Sequence, residues 1–171
     1  MGKKSVRENK NIYQIAREEA GFTRAKASEV IGVISESAIE KIEYNQMIPA
    51  PDYVLAMAKA YGKPELCNNY CVHECPIGNV YVPEVTTTEL SQIVLHLLAS
   101  LNTLERDKDR LIEITVDGKI SENELKDFAR IQKTVNQISL AADAMQLWLE
   151  KGMASGAVDK ERLNIVLKEM D

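Results

Sequence analysis

Thr23-Arg24-Ala25-Lys26-Ala27-Ser28-Glu29-Val30-Ile31-Gly32, followed at once by Val33-Ile34-Ser35, decides how the chain is read. Thr23 is a good N-cap, because its hydroxyl can accept from an amide that the first helical turn leaves free. Ala27, Val30 and Ile31 then supply an inward side, and Gly32 permits the left-handed residue that ends a helix. Ser35 starts a further helix that turns Ile39 and Ile42 inward, carries Glu36, Glu40, Lys41 and Glu43 elsewhere, and closes near Asn45. Two short helices joined by a tight turn follow from these residues alone.

The same reading extends in both directions. Upstream, Asn11 and Gln14 have the spacing of a capping box, and Ile12, Ile15, Ala16 and Ala20 recur at helical intervals until Gly21. Downstream, Ile48-Pro49-Ala50-Pro51 stiffens the connection, Asp52 is expected to cap a fourth helix with Val54, Leu55, Met57, Ala58 and Tyr61 packed, and Gly62 closes it. Pro64 suits the first turn of a fifth helix bearing Leu66, Cys67, Tyr70 and Cys71, and Pro76 ends it near His73 or Glu74.

That fifth segment holds all three cysteines. In a continuous helix, Cys67 and Cys75 lie about 12 Å apart along the axis, too far to share one metal. A closed zinc site also wants four ligands, typically with Cys-x-x-Cys knuckles that are absent here. Packing is the expected role of the thiols, with no resident metal; a break in the helix bringing Cys71, His73 and Cys75 together, or redox chemistry, are the alternatives.

Ile77-Gly78-Asn79-Val80-Tyr81-Val82-Pro83 has no period and carries Gly and Pro, so residues 77–86 are expected as the linker. Thr86 and Glu89 then form a possible capping box, and Leu90, Ile93, Val94, Leu97, Leu98, Leu101, Leu104 and Leu111 keep steps of three and four until Asp117-Gly118. Ser121 with Glu124 opens a return helix carrying Phe128, Ile131, Val135, Ile138, Ala142, Met145 and Leu149. Residues 87–171 therefore predict a long antiparallel hairpin followed by a short helix near Val158 to Met170. Leu140, Leu147 and Trp148 lie off the seam; with Leu90, Leu97 and Leu101 they are expected to mediate dimerisation.

Composition agrees with an all-α chain: 45% apolar and 27% charged residues, with only 5% aromatics. No segment approaches 18 apolar residues, which excludes a membrane span, and three cysteines without a signal-peptide run point to the cytoplasm. The net charge of −5 argues against nonspecific nucleic-acid binding by the whole molecule. Charge is uneven, however: residues 1–46 carry eight Lys or Arg against seven Asp or Glu, and the remainder thirteen against nineteen. Lys3, Lys4, Arg7 and Lys10 make residues 1–10 a basic arm suited to phosphates. No nucleophile and base pair, paired acidic motif or glycine-rich phosphate loop emerges, so neither an enzyme nor a cofactor is expected.

The pattern Thr23-Arg24-x-x-Ala27-Ser28-x-x-x-Gly32, with Ser35, Ile39, Ile42-Glu43, Pro49 and the helix at Asp52, resembles the repressor-type helix-turn-helix domain of the Xre/Cro family over residues 11–62. The resemblance implies a five-helix, repressor-like DNA-binding domain across 11–76, with double-stranded DNA as partner and a homodimer reading half-sites about 34 Å apart or at multiples of that spacing. It assigns Ser35, Glu36, Ser37, Glu40 and Lys41 to base contacts, and Thr23, Arg24, Lys26 and Asn45 to phosphate contacts. Two features depart from the family pattern. The turn carries one extra residue, so it must bulge or the third helix must shift. The recognition helix has three glutamates against one lysine, where phosphate neutralisation normally supplies much of the affinity. The implied function is a dimeric, sequence-specific transcriptional regulator; the alternative is a protein-interaction adaptor using the same helices without DNA.

Overall fold

The computed structural model describes residues 9–86 and 88–170, so Lys3, Lys4 and Arg7 of the basic arm lie outside the described residues. Among the described residues there is no strand, and the helices run α1 (Ile12–Glu19), α2 (Arg24–Ile31), α3 (Glu36–Glu43), α4 (Pro51–Tyr61), α5 (Glu65–His73), α6 (Gly78–Tyr81), α7 (Leu90–Thr115), α8 (Leu125–Ser155) and α9 (Lys160–Met170). They divide into two compact units. The first holds the described residues up to Glu84 together with Leu149 onward; the second is Val85–Trp148.

In the first unit, capping chemistry sets the helix starts. The Asn11 carboxamide oxygen accepts from the Gln14 amide at 3.0 Å, the Thr23 hydroxyl from the Lys26 amide at 3.1 Å, and the Ser35 hydroxyl from the Ala38 amide at 3.2 Å. Gly21, Gly32 and Gly62 take positive φ where α1, α2 and α4 end. Two expected caps differ. Gln14 does not reach back to complete a box; it is buried and donates to Glu18 at 2.8 Å. Asp52 lies in the first turn of α4 rather than capping it, because Pro51 needs no amide partner and starts the helix one residue earlier, with Ala50 at the cap.

The core of this unit gathers Tyr13, Ala16, Ala27, Ile34, Ile39, Ile42, Val54, Met57, Ala58, Tyr61 and Leu66, with Phe22 packed edge-on to Tyr61 at 6.2 Å between ring centroids. Val30 and Leu55 are not part of it, being 47% and 59% exposed. The buried stripes are narrower than expected: on α2 it runs through Ala27 to the partly buried Ile31, and on α4 through Val54, Met57, Ala58 and Tyr61.

Between α2 and α3, where an additional residue was expected, the turn bulges outward. Val33 turns into solvent at 64% exposed while its neighbour Ile34 is 2% exposed in the core. The Ser28 hydroxyl fixes this arrangement by donating to the Ile34 carbonyl at 2.7 Å.

The segment expected as an irregular linker instead folds back against α5 and forms α6. The Asn79 side chain donates to the Val72 carbonyl at 2.8 Å, and the Asn68 side chain to the Pro83 carbonyl at 3.0 Å. A side chain at Gly78 would place its Cβ 2.2 Å from the Cys71 carbonyl oxygen, so this backbone approach requires glycine. The last turns of α8 reach α5 through Lys151 and Glu65, 3.6 Å apart. In α9, which Asp159 caps through the Arg162 amide at 2.9 Å, none of the residues is buried.

In the second unit, α7 and α8 pack together as a hairpin. The Thr86–Glu89 box does not form: Glu89 itself is the cap residue of α7, without a side-chain bond, and α7 ends at Thr115, short of Asp117. Glu124 does reach back to Ser121, accepting from its amide at 2.9 Å and its hydroxyl at 2.5 Å, and these bonds hold the Glu124 carboxyl below its ordinary pKa. Arg110 bridges to Asp127 at 2.8 Å and Arg130 to the buried Asp107, joining the helices near the turn.

The seam of the hairpin departs from the expected one in part. On α7, Leu90, Ile93, Val94, Leu97, Leu104 and Leu111 are buried or partly buried as expected, joined by Ser100, Asp107, Arg110 and Ile114, while Leu98 and Leu101 face outward. On α8, Ile131, Thr134, Ala141, Ala144 and Leu147 are buried, while Val135 is 44% exposed. A straight helix drifts relative to a seven-residue repeat, so small neighbours replace the larger residues at successive contacts. Thr134 tolerates burial because its hydroxyl bonds the Arg130 carbonyl within the helix.

Candidate nucleic-acid interface

The first unit exposes the surface that the sequence assigns to DNA. Ser35, Glu36, Ser37, Glu40 and Lys41 are all exposed at the start and along the outer side of α3, whereas Ile39, Ile42 and Glu43 face inward. At the start of α2, Thr23 and Lys26 are exposed and Arg24 is half-buried.

Glu43 is the electrostatic centre of this region. Its carboxylate is 1% exposed and receives Arg17 through two bonds, Nε to Oε1 at 2.5 Å and Nη2 to Oε2 at 3.1 Å. Arg17 also donates to the Phe22 carbonyl, so it ties α1 to α3 and to the chain entering α2. Arg24 adds a second guanidinium from α2, with Nε 2.8 Å from Glu43 Oε2, Nη1 3.1 Å from Glu40 Oε1, and its Cζ 5.0 Å from the centre of the Tyr44 ring. Burial pushes the Tyr61 phenol far above its ordinary pKa, and the negative charge of Glu43 adds to the shift.

These pairs change the electrostatics of α3. Its three glutamates are not equivalent: Glu43 is buried between two arginines, and Glu40 is bridged by Arg24. Lys41 stays on the exposed side. The excess acidity counted along the sequence is therefore partly neutralised within the fold.

Other assigned residues have local partners too. The Lys26 ammonium lies 3.0 Å from Glu29 across one turn, an exposed pair of little energetic weight. Asn45 takes a left-handed φ of 56° and accepts from the Asn11 side chain at 2.9 Å; the same Asn11 amide nitrogen donates to the Ile42 carbonyl at 2.7 Å. Asn11 thus anchors both the start of α1 and the exit from α3. Arg17, Glu43, Tyr44 and Asn11 are absent from the sequence assignment. In sequence the first two read as surface charges, Arg17 one residue after Ala16 and Glu43 one after Ile42.

Residues 14–66 match the helix-turn-helix family model. The match begins within α1 and ends within α5, and so covers the helices that carry both the arginine-glutamate network and the exposed face of α3. It supports a DNA-binding helix-turn-helix regulator in general terms. No curated protein and no solved structure matches the chain.

The helix-turn-helix domain leads directly into the cysteine segment. Cys67, Cys71 and Cys75 are free thiols of intermediate exposure, and Cys75 Sγ accepts from the Gly78 amide at 3.4 Å. Burial raises the Cys67 pKa, with Cys71 and Glu150 adding to the shift. Among the described residues, no group of three or more His, Cys, Asp or Glu is placed to hold a metal ion, and no helix is long and apolar enough to cross a membrane.

Proposed function

We propose that this chain is a cytoplasmic, sequence-specific DNA-binding transcriptional regulator that acts as a homodimer. The observation that carries the reading is the family match over 14–66 together with the exposure of the polar face of α3. In this proposal α3 enters the major groove, with Ser35, Glu36, Ser37, Glu40 and Lys41 toward base edges. A serine bonds more than one base, glutamate accepts from cytosine, and lysine donates to guanine, so the face is chemically able to read sequence.

Thr23, Lys26 and Asn45 serve phosphates on either side of the groove. Arg24 joins them through guanidinium hydrogens beyond those that Glu40 and Glu43 take up. Residues 1–10 add phosphate contacts from the basic arm. Dimerisation belongs to the 87–171 region and sets the spacing of the half-sites.

Selection of bound sequences from random duplexes at low salt tests the reading. An enriched half-site, repeated with two-fold symmetry, is the expected result. Recovery of no preferred sequence from a correctly folded dimer sinks it in favour of a protein-interaction adaptor.

A further inference from the structure

The outer side of α7 carries a second seven-residue ladder. Leu98, Leu101, Glu105, Lys108, Ile112 and Thr115 follow at steps of three and four, each one residue beyond a member of the inward ladder. Leu98, Leu101 and Ile112 are 52%, 42% and 55% exposed, an apolar stripe without cover in the isolated chain. At its middle stand Glu105 and Lys108, 3.5 Å apart, with side chains 74% and 59% exposed. Thr115 spends its hydroxyl on the Leu111 carbonyl at 2.8 Å, which leaves its methyl group available for packing.

This face is complementary to itself in one orientation. When two copies of α7 lie antiparallel about the midpoint between Arg106 and Asp107, Leu101 opposes Ile112 of the second copy, Leu98 opposes Thr115, and Glu105 opposes Lys108. The layers then match Leu101 with Ile112, Leu98 with the Thr115 methyl, and acid with base at the centre. In a parallel, in-register pair, Glu105 faces Glu105 and Lys108 faces Lys108, which is repulsive at the centre. The apolar layers supply the driving force, and the charges fix orientation and register. A two-fold contact of this kind uses one patch on both chains and closes at two copies.

We propose that the chain dimerises through this face of α7, paired antiparallel with the same face of a second copy over about 26 Å. The inference rests on the dimer in the functional reading above and specifies its face and direction. Sedimentation equilibrium of the full chain over micromolar concentrations tests it. Glu105→Lys and Lys108→Glu are each expected to weaken the dimer about tenfold, and the double exchange to restore it. Leu101→Asn gives a second readout that leaves charge unchanged and is expected to weaken the dimer by at least as much.

A wild-type chain that is monomeric throughout overturns the proposal. So do single variants as tightly dimeric as wild type, a double exchange that fails to restore pairing, or dissociation by Leu140→Ser on α8 but not by the α7 variants. Helicity by circular dichroism separates lost pairing from lost folding. Binding of the same variants to a single half-site duplex separates this proposal from the DNA reading. A monomer that still binds a preferred half-site overturns the α7 contact alone, and a dimer without sequence preference overturns the DNA reading alone.

Discussion

Arg17 on α1 and Glu43 on α3 form a two-point ion pair inside the helix-turn-helix domain, with side chains only 7% and 1% exposed. A buried pair of this kind adds little net stability over an apolar replacement, but removing one member strands the other charge. Glu43→Gln is therefore expected to destabilise the domain by about 3 kcal/mol, since it leaves buried Arg17 with only the more distant Glu18 carboxylate, 3.8 Å away. Arg24→Gln, at a side chain 23% exposed, is expected to cost less than half of that. Urea unfolding followed by helix signal measures both; equal losses contradict the placement of Arg17 as the buried partner.

The bulged turn predicts opposite outcomes at adjacent residues. Val33→Ser is expected to change stability by less than about 0.5 kcal/mol, because its side chain already meets water. Ile34→Ala removes a core side chain and should cost about 2–4 kcal/mol. Thermal melts of the two variants decide whether the extra residue is accommodated as described.

Position 78 offers a test of the fold-back on α5. Gly78→Ala drives a methyl group into the Cys71 carbonyl, so the segment must detach or α5 must move, at a cost of about 1–3 kcal/mol. The specific expectation is faster alkylation of Cys75, whose sulfur accepts the Gly78 amide in the native turn. An unchanged thiol reaction rate argues against that packing.

DNA measurements separate the roles of two exposed lysines. Lys26→Ala is expected to weaken binding to all duplexes alike and to reduce the salt slope by about one, as loss of a phosphate contact does. Lys41→Ala should instead shift the preferred base at one position of the half-site, with discrimination changing by about 1–3 kcal/mol. If Lys41→Ala leaves the preference intact while Lys26→Ala alters it, the positions of α2 and α3 in the groove are misassigned.

Much of the helix-turn-helix domain was legible in the sequence because its boundaries are local events. Asn11, Thr23 and Ser35 cap where they stand, and the turn glycines take the left-handed conformation that only their freedom makes inexpensive. What escaped depends on neighbours far along the chain. Arg17 and Glu43 look like surface charges until the helices cross and turn them toward each other, 26 residues apart in sequence. The docked 77–83 segment escaped for a similar reason: nothing within it has a period, and its order comes from Asn68 and the carbonyls of Cys71 and Val72 on α5. In the hairpin, the two long helices and most of the α7 seam were evident from spacing; on α8 the fold buries Ile131 as expected but turns Thr134, Ala141 and Ala144 inward beside the expected Val135, Ala142 and Met145.

The outward turn of Val33 separates two properties that such a connection usually couples, its length and the placement of the helices it joins. Ser28 holds Ile34 from the other side, so the backbone path is set without help from the side chain at 33. That position lies two residues before Ser35, the cap of α3, and carries no packing duty. A fluorophore or spin probe attached there would report on the proposed docking of α3 at the groove while leaving the core and the charged network untouched.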